Sequence, residues 1–381
     1  MRIAMVSSGR FWLCDLAREL DAHGHDVTLY SLVPPWRTRA FGLPDRCNHW
    51  LGPHLGPIYA MRRLAARTRL AESTNHLLSV AIDRVVARLV ARCDVFIGMS
   101  QLSLACLDSV RRRFGARTFL ERGSRHIVSQ RSILEGIPAA AGARPPVPDW
   151  AVRRELAEYE RADRIVVPST QAHASFVERG VAASKLFRNP YGVDLSMFPA
   201  TPAPPPGTPP TIIMVGTWSL RKGCDVLVEA WQRLTTPDTR LVHVGHVADA
   251  PLPASPRFTH HDAVDQRQLT HWYGQAHVLA LASREEGLAL VQAQALASGL
   301  HVAASDYTGA EDLQARLEDP RAVAITPVND AGALARALDD RLAAACAMQG
   351  MRDLLGSARE QLTWAAYGAR YDAMLRGQGM H

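Results

Sequence analysis

Ser283-Arg284-Glu285-Glu286-Gly287-Leu288-Ala289-Leu290-Val291-Gln292-Ala293-Gln294-Ala295-Leu296-Ala297-Ser298-Gly299 lies between two apolar runs, His277-Val278-Leu279-Ala280-Leu281-Ala282 before it and His301-Val302-Ala303-Ala304 after it. The pattern reads as strand, acidic turn with a glycine, short helix, glycine stop and strand, which is the unit of a parallel α/β sheet. In such a sheet the turn after a strand sits at the carboxyl edge, where ligands bind, and the helix start offers free N–H groups to an anion. A carboxylate beside those amides suits a polyhydroxylated phosphate ester, with the amides on phosphate and Glu286 accepting hydroxyl hydrogen bonds. An ordinary strand-to-helix turn with solvated glutamates would look the same over this stretch alone.

Working outward, the same alternation recurs on both sides. Arg2 to Ser7 reads as a strand, Ser8-Gly9-Arg10 as a turn, Phe11 to His23 as an amphipathic helix, and Asp26 to Tyr30 as a second strand. This βαβ start lacks Gly-x-Gly-x-x-Gly, which removes support for a nicotinamide or flavin enzyme. Gly9 still lets the backbone approach a ligand closely. Residues 33 to 70 read as an irregular excursion with weak helical pieces, of the kind that carries specificity on a rigid sheet. Next come a helix from about Leu77 to Arg92, a strand at Asp94 to Gly98, a helix from Leu102 to Phe114 and a strand at Arg117 to Leu120. After that strand the run Glu121-Arg122-Gly123-Ser124-Arg125-His126-Ile127 reads as a site wall. Arg122, Ser124 and Arg125 suit an acceptor's polar groups, and His126 suits proton transfer or a hydroxyl contact. An Ala- and Pro-rich loop from Pro138 to Pro148, a helix from Trp150 to Ala162, a strand at Arg164 to Ser169 and a turn over Lys185 to Asp194 complete this half.

Pro199 to Pro210, with seven prolines and a glycine, reads as a hinge between two halves. The alternation then restarts with a strand at Thr211 to Val215, Gly216, a polar loop ending in Arg221-Lys222-Gly223, and a helix from Cys224 to Leu234. A strand at Arg240 to Val244, one near Phe258 and a helix from Gln266 to Gln275 lead into the opening stretch. Lys222, with Arg221 beside it at a helix start, would neutralise a diphosphate leaving group. The architecture is therefore two Rossmann-like, doubly wound halves, with a ligand expected in the cleft between facing carboxyl edges.

Composition narrows the class. With 381 residues and 47% hydrophobic content the chain suits two globular domains. It shows no apolar run of ~18 residues and no leader-like start, so a cytoplasmic protein is expected. Six scattered cysteines form no Cys-x-x-Cys pair, which argues against a disulfide framework or a structural zinc. The net charge of +6 is concentrated at Arg62, Arg63, Arg67 and Arg69 and at Arg111 to Arg113. That suits an anionic membrane surface or acceptor. No interleaving of basic and aromatic residues points to nucleic acid.

Taken together, these motifs resemble the retaining glycosyltransferases of family 4, which have the GT-B fold. The resemblance is carried by Ala162 to Ser169, Lys185, Tyr191-Gly192-Val193-Asp194 with Phe198, Lys222-Gly223, the stretch from Ser283 to Gly299, and Leu362 to Tyr367. It implies an acceptor domain over residues 1–200, a nucleotide-sugar donor domain over 201–364 and a terminal helix over 365–381 crossing back to the first domain. It implies a hexosyl transfer from a UDP- or GDP-type donor to a sugar, lipid-linked or small-molecule acceptor, in polysaccharide, glycolipid or glycoside biosynthesis, with no metal or other cofactor. His126, Lys222 and Glu286 would be catalytic. Gly9, Gly216, Arg221, Lys222, Glu286, Gly287, Leu288, Ala289, Leu290 and Gln294 would hold the donor. Two positions depart from the pattern: Thr217 stands where the family has Arg, and Gln294 where it has a second Glu. They suggest, as a second reading, a non-catalytic sugar-nucleotide-binding subunit, and an epimerase of the same fold is the closest enzyme alternative.

Overall fold

The computed structural model describes residues 1–9, 12–66, 68–137 and 147–377. Arg67, the expected helix start at Phe11 and most of the loop from 138 to 148 lie outside the described residues. The first sheet contains β1 (Arg2–Ser7), β2 (Asp26–Ser31), β3 (Asn48–Trp50), β4 (Val95–Met99), β5 (Arg117–Glu121), β6 (Arg164–Val167) and β7 (Leu186–Arg188), in the order β3-β2-β1-β4-β5-β6-β7. The second contains β8 (Thr211–Val215), β9 (Arg240–Val244), β10 (Phe258–His261), β11 (Val278–Leu281), β12 (His301–Ser305) and β13 (Val323–Thr326), in the order β10-β9-β8-β11-β12-β13. Every pairing is parallel. Central strands of such sheets are covered on both faces, which is why β4, β8 and β12 are buried at every position.

Strand order decides where ligands can go. In the first sheet the chain runs outward from β1 on one side and from β4 on the other. In the second it does so from β8 and β11. A crevice opens where the order reverses, at the carboxyl ends of those two strands. The segments following β1 and β4, and those following β8 and β11, are thus neighbours although they are about 90 and 65 residues apart in the chain. The register confirms the second case, with Val278 opposite Ile212 and Leu279 opposite Ile213. Together the two parallel-sheet domains form a GT-B arrangement.

Several local expectations are corrected. Residues 33 to 70 are more ordered than the irregular excursion expected: they hold a helix Pro35–Arg39, edge strand β3 and a helix Gly52–Ala65 with Pro57 inside it. A proline at the first turn is compatible with a helix, and the longer helix lies against the helix Ala71–Leu89, whose contacts sustain it through Pro57. That second helix starts six residues before Leu77, because its first turns are polar and carry no apolar period. The helices Ile127–Glu135 and Thr170–Val177 and edge strand β7 were not expected at all. The proline-rich stretch after Pro199 is pinned rather than loose. Thr201 O accepts from Arg352 N at 3.0 Å, Ala203 N donates to Gly350 O at 2.8 Å, and Pro202 bridges Met351. The Arg352 guanidinium is fully buried there and donates to Ala276 O, Thr201 Oγ1 and Tyr273 O.

One buried apolar cluster runs through the first sheet and on to residues of the second, and a smaller one fills the space between the second sheet and the helices Cys224–Gln232 and Ala331–Cys346. The helix Trp364–Leu375 packs on Trp12–Ala22. His25 Nε2 and Asp372 Oδ1 lie 2.6 Å apart, and Arg370 donates to Asn189 Oδ1 and Pro190 O at 2.7 Å each.

Candidate active site

Three consecutive residues of the acidic turn are gripped by the loop after β8 and by the first turn of the helix that follows it. Arg284 donates to both carboxylate oxygens of Asp225 at 2.7 Å. Glu285 pairs with Arg221 at 3.0 Å, and Glu286 pairs with Lys222 while accepting from Ser283 Oγ at 3.2 Å. What allows this approach is Gly223, which caps the helix Cys224–Gln232 at φ +66°; a Cβ there would sit 2.0 Å from Ala282 O. The left-handed conformation and the contact with the end of β11 both demand glycine.

The same turn is pressed against the first domain. Ser124 Oγ donates to Glu285 Oε1, and Ser169 Oγ donates to Gly287 O at 2.7 Å. A Cβ on Gly287 would lie 1.9 Å from Gly123 O. Further along, Arg188 and Thr170 bind Asp312. The two carboxyl edges therefore face each other in contact.

Two cavities open at this seam. The smaller, about 1100 Å³, is lined by Gly216, Thr217, Arg221, Lys222 and Glu286, by Leu288, Ala289, Leu290 and Gln294, and across the seam by Trp12, Gly123 and Tyr191. The helix Leu290–Ala297 starts here with no side-chain cap, which leaves its first N–H groups for a ligand. The larger, about 1790 Å³, lies mainly in the first domain and is lined by Ser8, Gly9, Arg122 and Ser124 among others. Trp12, Gly123, Thr217 and Arg221 line both.

The structure brings most of the residues singled out from the sequence to these walls, but three stand apart. Gly287 faces the Gly123–Ser124 loop instead of the smaller cavity. Arg125 is buried, stacks 4.1 Å over the Tyr307 ring and bonds Gln171. His126 lines neither cavity: its side chain accepts from Val128 N and caps the helix Ile127–Glu135, with its ring between Tyr159 and Phe176. Burial first, then Arg122 and Arg179, push its pKa down to about 4. A neutral, enclosed cap is poorly placed for proton transfer to a substrate in either cavity. Arg122 reaches the larger cavity already paired with Glu155 at 2.9 Å. Gln294 is buried and accepts a long 3.4 Å bond from Tyr273 OH.

Sequence reasoning missed Trp12, which lines both cavities, and gave no role of their own to Glu121 and Glu285. Glu285 is 1% exposed and sits between Arg221 and Ser124; its neighbour Glu286 drew attention, and nothing in the chain told the two apart. Trp12 Nε1 donates to Glu121 Oε2 at 2.7 Å, and Glu121, beside Tyr371, is pushed up to about 7 by burial. The tryptophan looked like one more apolar position of an amphipathic helix.

Residues 209–344 match the family model for glycosyl transferases group 1. The matched span falls within the second domain. A D-inositol 3-phosphate glycosyltransferase from Xylanimonas cellulosilytica is 31% identical over 39% of this chain and 42% of its own length, so that match spans less than half of the relative. Over nearly the whole chain the fold is shared with sucrose-phosphate synthase from Thermosynechococcus elongatus, with TM-score 0.66, 20% identity and coverage of 99% and 98% of the two chains. HepE from Anabaena, solved in complex with UDP-glucose, gives TM-score 0.61 and 12% identity over 99% and 100%. At those identities the likeness is one of fold, and the span matched by the family model includes the Lys222–Glu286 pair. Among the described residues no helix is long and apolar enough to cross a membrane.

Proposed function

We propose that this chain is a retaining glycosyltransferase that moves a sugar from a nucleotide-sugar donor to a hydroxyl acceptor. The observation that carries the reading is the meeting of two cavities at Trp12, Gly123, Thr217 and Arg221, one of them beside the Lys222–Glu286 pair. The match to the group 1 family and the UDP-glucose bound by HepE support a UDP-type donor in the smaller cavity. There the diphosphate draws Lys222 away from Glu286 and takes the first amides of the helix Leu290–Ala297. Glu286, once released, accepts hydrogen bonds from the sugar, and Gln294 reaches the ribose. The bond between the anomeric carbon and the diphosphate oxygen breaks as the acceptor oxygen bonds to the same face, and the acceptor's proton passes to the departing oxygen. Lys222 and Arg221 stabilise the charge that develops on the leaving group. Arg221 lines the same cavity as Thr217 and, once drawn from Glu285, supplies a cation that Thr217 lacks. With that charge supplied by side chains, the reaction is proposed to need no metal or other cofactor.

A panel of UDP-, GDP- and ADP-sugars, with and without EDTA, tests this. Nucleoside diphosphate release from at least one donor, insensitive to EDTA, is expected. Lys222→Ala should weaken donor binding by about ten- to a hundredfold, the loss of one or two charge-assisted bonds. Neither release nor binding with any donor would sink the reading. An epimerase would change the donor with no acceptor and has no use for the larger cavity. A silent binding subunit, suggested by Thr217 and Gln294, would give heat with a donor but no turnover.

We also propose that the first domain meets an anionic membrane face. Arg63 and Arg69 are exposed next to exposed Met61, Leu64 and Leu70, at the tip formed by the helices Gly52–Ala65 and Ala71–Leu89, with Arg62 half-buried behind them. Such a mixture suits a lipid headgroup region. Phosphatidylglycerol vesicles should float the protein at low salt and release it as salt rises; no flotation at any salt rejects the contact.

A further inference from the structure

The larger cavity, at about 1790 Å³, exceeds the ~300–1,000 Å³ of ordinary small-molecule sites, and its wall has two characters. One part is polar and comes from loops at the seam: Ser8, Gly9, Ser124, Thr217, Ser219 and Arg221. The rest comes from the first domain, where polar side chains including Arg62, Arg69, Glu72, Asn75 and Gln130 alternate with apolar ones. Leu78 and Ile82 project from the helix Ala71–Leu89, Ile127 and Leu134 from Ile127–Glu135, and Trp150 from Asp149–Arg161. Trp150 stacks on His76, with ring centroids 4.5 Å apart and planes 5° from parallel, and so joins the first of these helices to the last. Leu134 and Trp150 keep part of their apolar surface open to this cleft, while Leu78, Ile82 and Ile127 are buried in its wall, and apolar surface left facing water is stabilised when an apolar ligand covers it. Arg122, within the same wall, is held by Glu155 and by Tyr159 OH and is not free for an anionic group.

We infer that the acceptor is an amphiphile, with a hydroxyl-bearing head at Gly9, Ser124 and Arg221 and an apolar body among Leu78, Ile82, Ile127, Leu134 and Trp150. The inference rests on the transferase reading above, for it names the acceptor of that reaction. The polar loops line the seam where the donor's sugar would be presented, so the head is the end that receives it. The helices take the apolar end, which explains why a transferase domain built for sugar keeps so much apolar wall beside it.

The test is binding of n-alkyl β-glucosides from methyl to octyl, below their micelle-forming concentrations, to the donor-free protein by calorimetry. Because no donor or turnover is involved, its outcome is separate from that of the donor panel. Affinity should rise by about fourfold for each methylene that becomes fully buried, and by at least about a hundredfold from methyl to octyl. Leu134→Gln should flatten the series and Leu134→Met should keep it, with thermal melting and donor binding preserved in both. Presenting dodecyl glucoside in phosphatidylglycerol vesicles separates the two sources of such a compound: tighter binding from vesicles identifies a membrane-held amphiphile, and equal or better binding from water a soluble one. A series flat from methyl to octyl, or one that still rises in Leu134→Gln, overturns the inference.

Discussion

His126 and Glu285 are both enclosed, although neither is of a residue type most often fully buried. The histidine follows a polar run at a sheet edge, yet its ring caps a helix and packs between two aromatic side chains. His126→Asn keeps a capping side chain. It should leave the transfer rate within about threefold, since a capping swap costs only tenths of a kcal/mol, whereas His126→Ala should lower unfolding free energy by about 1 kcal/mol. Denaturant titration and an initial-rate assay read the two quantities. A loss of rate in His126→Asn with stability unchanged would return the residue to the chemistry. The placement is instructive because a histidine's role depends on what encloses it, and here that is Tyr159 and Phe176, from helices more than 30 residues along the chain. Lys222 and Glu286 were readable because each closes a turn between a strand and a helix, and adjacent strands bring those turns together.

Elements meet at Glu121 in a way that the sequence did not announce. It ends β5, binds Trp12 at the start of the first helix and lies beside Tyr371 of the last helix. Burial holds its carboxyl protonated up to about pH 7. A folded pKa above the unfolded value means that the stabilising contribution is whole below the ordinary glutamate range and is lost as pH rises through about 7. Glu121→Gln keeps an oxygen for Trp12 and has no proton to lose. Relative to wild type, its unfolding free energy should therefore improve by up to about 3 kcal/mol between pH 4.5 and pH 8, as measured by urea titration across that range. A difference that stays constant with pH would mean that the carboxyl titrates normally. The proline-rich stretch gives a second lesson at this scale. Its composition reads as a loose hinge, but backbone bonds to residues near Gly350 and the buried Arg352 fasten it.

For the whole molecule, the decisive contact is between Gly287 and Gly123. Gly287 does not occupy the left-handed region, so its own backbone would accept alanine, and only the facing domain forbids the Cβ. Gly287→Ala should leave the second domain folded and its donor binding nearly intact while forcing the seam apart. Because a misplacement of about 1 Å between reacting groups can cost about a hundredfold, transfer should fall by roughly that factor while small-angle scattering reports a more open molecule. Full activity in this variant would show that the seam need not close. The alternation of apolar runs and helical periods by itself determined two parallel α/β halves, and the turns after β8 and β11 marked Lys222 and Glu286, because strand period and turn chemistry are local properties. Only the tertiary structure decided that Ser124 reaches Glu285 across 161 residues, that His126 is enclosed, and that one cavity is walled by apolar helices. Burial and partnership are set by segments distant in the chain, and no local pattern encodes which of them will close over a given side chain.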